Sequence, residues 1–140
     1  MNRHGPIIII EDDLDDQFLF KEAFKRLDCK NNLIFFSDPL QALAHLNEKN
    51  IKPFLIMSDI NMPKLNGFAL RKQIQTNEEL EKRCIPYLFF TSASDQQSVM
   101  DAYSMSVQGF FIKQDSIDQL EKTIKVIVDY WKCCLAPNDV

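Results

Sequence analysis

The sequence predicts an α/β fold in which helices cover both faces of a five-stranded parallel sheet. Five short runs are apolar without alternation: Ile7 to Ile10, Leu33 to Phe36, Phe54 to Met57, Ile85 to Phe90 and Gly109 to Ile112. Unbroken apolarity suits strands buried on both faces. Between these runs lie stretches with apolar residues at three- and four-residue steps, the pattern of amphipathic helices. Regular alternation of the two calls for a parallel sheet with right-handed crossovers.

The first helix is expected from about Asp15 to Leu27, with Leu19, Phe20, Ala23, Phe24 and Leu27 along one stripe. Ser37 and Asp38 before Pro39 start a second helix with proline at its first position, and Leu40, Leu43, Ala44 and Leu46 line one face. Asn66 and Gly67 supply turn and cap chemistry before a third helix, Phe68 to about Gln75. Thr76 to Arg83 is rich in charge and reads as a solvated helix end or a loop. Ser94 with Gln97, and Ser116 with Gln119, form capping-box patterns ahead of two further helices. The last of these carries Ile117, Leu120, Ile124, Ile127, Val128 and Trp131, the most regular stripe in the chain.

Five strands and five helices fit the flavodoxin-like doubly wound order 2-1-3-4-5, which makes the first and third strands neighbours and puts the topological switch point at their carboxyl ends. A length of 140 residues accommodates one domain, with its core over about 7–131 and a frayed tail from Leu135 to Val140. The net charge of −4 and the absence of a basic stripe argue against nucleic acid as a partner. No apolar run approaches the ~20 residues of a membrane span and the start lacks a secretory pattern, so a cytoplasmic location is expected. Cys29, Cys84, Cys133 and Cys134 lack metal-ligand spacing and are expected as reduced thiols.

Polar residues follow four of the strands: Glu11 with Asp12, then Asp59, then Thr91 with Ser92, then Lys113. Acids after two adjacent strands converge. At ~4 Å a like-charged pair costs on the order of 4 kcal/mol at an effective dielectric of 20, unless a cation or proton intervenes. Magnesium, a hard ion that takes oxygen ligands and keeps waters for a phosphate, is the economical choice. Carboxylate, hydroxyl and ammonium together make a phosphoryl-transfer kit, with Asp59 as nucleophile. The chain has no glycine-rich loop to cradle a nucleotide, so the donor phosphoryl comes from outside. Asp13, Asp15 and Asp16 read as caps of the first helix, although Asp13 replaces Asp12 at the metal if the first strand runs one residue longer.

The segments IIIIEDD, SDINMP with NG, FFTSA and FFIK, in that order, resemble a bacterial two-component response-regulator receiver domain over essentially Ile7 to Trp131. The resemblance implies that Asp59 accepts a phosphoryl group from a histidine of a sensor kinase. It further implies that Asp12 binds magnesium directly, that Glu11 acts through a water, and that Asn61 contributes its backbone carbonyl. Thr91 and Lys113 would take the phosphate oxygens, and Phe110 matches the aromatic switch position that moves with Thr91. A downstream histidine phosphotransfer or effector protein, and a homodimer face on the last two helices and fifth strand, are implied in the same way. Where the family usually has proline after the lysine, this chain has Gln114. That peptide is either trans or carries the cost of a non-proline cis bond, and the aim of Lys113 depends on which. Three competing readings are a silent receiver that binds without being phosphorylated, an aspartate-nucleophile phosphatase, and a flavin carrier. Asn61 stands where the phosphatase needs an acid, and the first loop is acidic where a flavin phosphate would sit.

Overall fold

The computed structural model describes residues 1–92 and 96–137. Strands β1 (Ile7–Ile10), β2 (Leu33–Phe36), β3 (Leu55–Ser58), β4 (Tyr87–Thr91) and β5 (Gly109–Ile112) form one sheet in the order β2-β1-β3-β4-β5. All four pairings are parallel, with Ile10 opposite both Phe36 and Ser58. Helices α1 (Leu14–Arg26), α2 (Pro39–Leu46), α3 (Gly67–Thr76), α4 (Glu78–Glu81), α5 (Gln96–Ser104) and α6 (Ile117–Cys133) cover its two faces.

Strand side chains alternate between the two layers, as the pleat requires. Ile7 and Ile9, Leu55 and Met57, and Leu88 and Phe90 pack with Phe20, Ala23 and Phe24 of α1 and with Leu120, Ile124 and Ile127 of α6. Ile8 and Ile10, Ile56, and Tyr87 and Phe89 pack with Ala42, Leu46, Leu70, Ile74 and Ala102 on the other side. Each fully buried large side chain contributes on the order of 1.5–3 kcal/mol of transfer free energy, so the four isoleucines of β1, at most 1% exposed, are a major share of the core. β2 is the half-buried edge.

Several expectations shift in detail. Six helices stand among the described residues where five were expected. The charged stretch after Thr76 contains the short α4, because the Asn77 side chain accepts from Glu79 N at 3.1 Å and Leu80 N at 3.2 Å and restarts the helix. On α2 the buried positions are Pro39, Ala42 and Leu46, while Leu40 is 47% exposed and Ala44 faces solvent. Pro39, Ala42 and Leu46 follow one another at three- and four-residue steps and form a face that leaves Leu40 outside it. Ser116 occupies the N-cap position of α6 without a side-chain cap bond. The Ser94 capping pattern lies outside the described residues. In the stretch expected as a loose tail, Leu135 is exposed but Ala136 is buried; just before it, Arg3 Nη2 donates to the Cys134 carbonyl.

Arg71 of α3 is buried at 4% exposure, an unusual place for a guanidinium. It is satisfied by carbonyls: Nε donates to Met105 O at 3.1 Å and Nη2 to Ser106 O at 3.0 Å, in the turn between α5 and β5. The group also lies over the Tyr87 ring, 5.4 Å from its centroid.

Gly67 opens α3 under the strand-end loop. A Cβ there would stand 2.3 Å from Asp59 O and 2.9 Å from both Ile60 Cα and a Phe89 ring carbon. Two of these contacts are backbone and cannot yield like a flexible side chain. Gly67→Ala is therefore expected to cost at least the ~1–3 kcal/mol of an overpacked core position, read as a lowered urea midpoint, although alanine is the better helix former.

Candidate functional site

The site lies at the carboxyl ends of β1, β3, β4 and β5. The β1 and β3 register puts Ile10 beside Ser58, so the residues that follow, Glu11 and Asp59, leave the sheet side by side. Asp59 N donates to Ile10 O at 3.0 Å and ties the two turns together. Ser58 Oγ donates to Asp59 O at 2.8 Å, and Ile60 N donates to Asp59 Oδ1 at 2.7 Å, orienting the carboxylate from its own backbone. Glu11 is fixed as firmly. Its N–H donates to Phe36 O at 2.9 Å, and its carbonyl accepts from the buried Gln17 side chain at 2.6 Å. Its Oε2 accepts from Asp13 N at 3.2 Å.

One oxygen from each of Glu11, Asp12 and Asp59 lies within 4.8 Å of the others, with Glu11 and Asp59 buried and Asp12 exposed. An all-oxygen donor set of this size, open to solvent on one side, fits a hard divalent cation that retains waters. Asp13 is not in the group. Its Oδ1 caps α1, accepting from Asp15 N at 2.8 Å and Asp16 N at 3.2 Å.

Lys113 enters from the end of β5. Its N–H donates to Thr91 O at 2.9 Å, and its ammonium reaches Asp59 Oδ2 at 3.2 Å, Asp16 Oδ2 at 2.7 Å and Glu11 Oε1. Among the described residues no peptide bond is cis, so the Lys113–Gln114 peptide is trans and the lysine still points into the acids. Thr91, fully buried, ends β4 on the same side of the sheet. Asn61 lies exposed in the loop beyond Asp59. Phe110 is half-buried within β5, its ring centroid 6.4 Å from that of Phe89. Asp16 is the residue that sequence reasoning assigned only to capping. Nothing local in the sequence marks it, because its partner Lys113 lies 97 positions away.

The electrostatics follow from burial and crowding. Burial is the main cause that pushes Glu11 from its ordinary 4.5 up to about 7, with Asp59 adding repulsion and Lys113 and the Asp13 N–H opposing. For Lys113, burial alone would lower the pKa, but the hydrogen bonds to Asp16 and Glu11 and the charges of Glu11 and Asp59 together hold it above its ordinary value. Folded Glu11 thus keeps its proton to higher pH than the unfolded chain does. Its contribution to stability is complete below about 4.5 and is lost as pH rises through about 7. In chelator, urea midpoints are expected to fall across that window in the wild-type protein and to fall less in Glu11→Gln. A divalent cation, which favours the carboxylate, should reduce the fall.

No helix of the described residues is long and apolar enough to cross a membrane. The response regulator receiver domain family matches residues 7–125. Response regulator Rcp1 of Synechocystis is 28% identical over 130 residues, spanning 89% of this chain and 87% of that protein. The probable methanogenesis regulatory protein FilR2 of Methanothrix harundinacea is 29% identical over 129 residues, 89% and 82% of the two chains. Chemotaxis protein CheY-3 of Vibrio cholerae is 26% identical over 92% of this chain and 95% of its own length. Among solved structures, the Mn(2+)-bound form of Rcp1 superposes with a TM-score of 0.80 at 28% identity, covering 94% of this chain and 97% of that one. The phosphorylated cyanobacterial phytochrome response regulator RcpA shares the fold, with a TM-score of 0.85 at 24% identity over 96% and 99% of the two chains. With its strand order, its acidic strand ends and this match over most of its length, the chain belongs to the response regulator receiver domain family.

Proposed function

We propose that the chain works as a stand-alone receiver in the cytoplasm: Asp59 accepts a phosphoryl group from a histidine of a sensor histidine kinase in a magnesium-dependent reaction. The observation that carries this reading is the convergence on Asp59 of two further carboxylates, within 4.8 Å, and of one ammonium at 3.2 Å. Bound magnesium would neutralise the acids and the incoming phosphate oxygens, with Glu11, Asp12, Asp59 and the Asn61 carbonyl as its protein partners. Ile60 N–H holds Asp59 Oδ1. The other oxygen, Oδ2, meets the Lys113 ammonium at 3.2 Å; as that ammonium turns to the incoming phosphoryl oxygens, Oδ2 would attack phosphorus: a new oxygen–phosphorus bond forms as the bond to the donor's imidazole nitrogen breaks, and the imidazole leaves with the electron pair. Lys113 and the Thr91 hydroxyl would hold the phosphoryl oxygens as charge shifts on to them.

The phosphorylated protein would signal by a surface change in which Thr91 and Phe110 move together, or would pass the group to a downstream histidine phosphotransfer or effector protein. Its own chemistry is then limited to self-phosphorylation and autodephosphorylation. A homodimer through α5, β5 and α6 is part of the same proposal. A silent receiver is the weaker reading, because the one cation in the site is aimed at the acceptor despite Gln114.

Acetyl phosphate with magnesium is expected to add one phosphoryl group to the intact protein, read as a mass gain that maps to Asp59. Asp59→Asn and excess chelator should each abolish the gain, and Lys113→Ala should slow it on the order of 10²-fold. An unchanged mass in the wild-type protein would refute the proposal.

A further inference from the structure

We infer that Asp16 is a positioning residue for Lys113: it keeps the ammonium aimed at the phosphoryl site once the other carboxylates are engaged elsewhere. This rests on the phosphoacceptor reading above. Lys113 has three ammonium hydrogens and three carboxylate neighbours, Glu11, Asp16 and Asp59. Glu11 and Asp59 also belong to the oxygen cluster that fits a divalent cation, whereas Asp16 does not. When a cation and a phosphoryl group occupy the site, Glu11 and Asp59 acquire new positive partners, and Asp16 alone remains committed to the lysine.

Little else would hold that side chain. Only the Lys113 backbone is pinned, by its bond to Thr91 O at 2.9 Å. The residues that follow, before α6 begins at Ile117, are irregular. The Lys113 side chain is a long flexible stem, 16% exposed, so without an anchor the ammonium samples many positions. Asp16 is itself well fixed. It lies in the first turn of α1, its N–H held by the Asp13 cap at 3.2 Å, and α1 packs through Phe20, Ala23 and Phe24 into the core. Its carboxylate meets the ammonium at 2.7 Å from the α1 side, over a small crevice lined by Asp16, Leu19, Phe20, Lys113, Gln114 and Leu120. The pair therefore links α1 to the end of β5.

The sign of the mutational effect separates this role from generic electrostatics. Removing an anion beside the site lowers repulsion toward an anionic donor and predicts faster phosphorylation, whereas loss of an anchor predicts slower phosphorylation. With acetyl phosphate and saturating magnesium, Asp16→Ala is expected to be slower by about 5- to 100-fold and Asp16→Glu to recover much of the loss. Magnesium affinity by calorimetry should change less than about twofold, since Asp16 lies outside the oxygen cluster. In a Lys113→Ala background, Asp16→Ala should cost nothing further. Apart from activity, the Lys113 ammonium signal in proton–nitrogen correlation spectra with magnesium present should broaden or shift in Asp16→Ala. An Asp16→Ala protein as fast as wild type or faster, or equally slowed without Lys113, would overturn the inference. If the wild-type protein takes no phosphoryl group, the functional reading fails on its own. The ammonium spectrum then decides the anchoring role, and a signal unmoved by Asp16→Ala ends it.

Discussion

The carboxyl edge of the sheet is arranged around an excess of negative charge that the protein concentrates and only partly neutralises. Glu11, Asp12, Asp16 and Asp59 approach one another with one ammonium among them. Backbone donors supply what is missing: Ile60 N–H on Asp59 and Asp13 N–H on Glu11. The raised pKa of Glu11 comes first from its burial, with the nearby Asp59 charge adding to it. Such an arrangement is unfavourable by itself, unless a proton, a cation or well-placed donors offset the repulsion.

The sheet makes this crowding bearable. Parallel pairing of β1 with β3 sends both chains out of the sheet in the same direction at the same level. The unbroken apolar strands behind them, buried on both faces, prevent the ends from drifting apart. Asn66 and Gly67 then start α3 directly beneath the Asp59 loop, so close that a Cβ at position 67 would overlap the Asp59 carbonyl. Core packing, loop path and the geometry of the Asp59 carboxylate are here a single constraint.

Much of this was legible in residue order. The four isoleucines of β1 and the run Leu55–Met57 announce buried strands because they lack alternation, and polar residues immediately after them announce an edge. Alternation with helical stripes then selects the topology. Interactions set by distances across the fold were less legible. Asp16 reads as one more acid in a helix start, and only the approach of β5 from 97 positions away makes it a partner of Lys113. The stripe of α2 was misjudged because Leu40 is apolar yet lies off the face that Pro39, Ala42 and Leu46 turn inward. Arg71 gave no signal, since a charged residue in a helical pattern is ordinarily solvated and nothing local reveals carbonyls waiting in a distant turn.

The buried guanidinium of Arg71 changes the character of one corner of the molecule. Apolar surfaces slide past each other at small cost, but hydrogen bonds to two successive carbonyls weaken within tenths of an ångström and leave a bare cation behind when they break. The turn that feeds β5 is therefore latched to α3 instead of merely resting against it. Creep between these two elements is suppressed, and rearrangement at that corner proceeds by release and re-engagement of the latch, which makes it abrupt where a greasy contact would have been gradual.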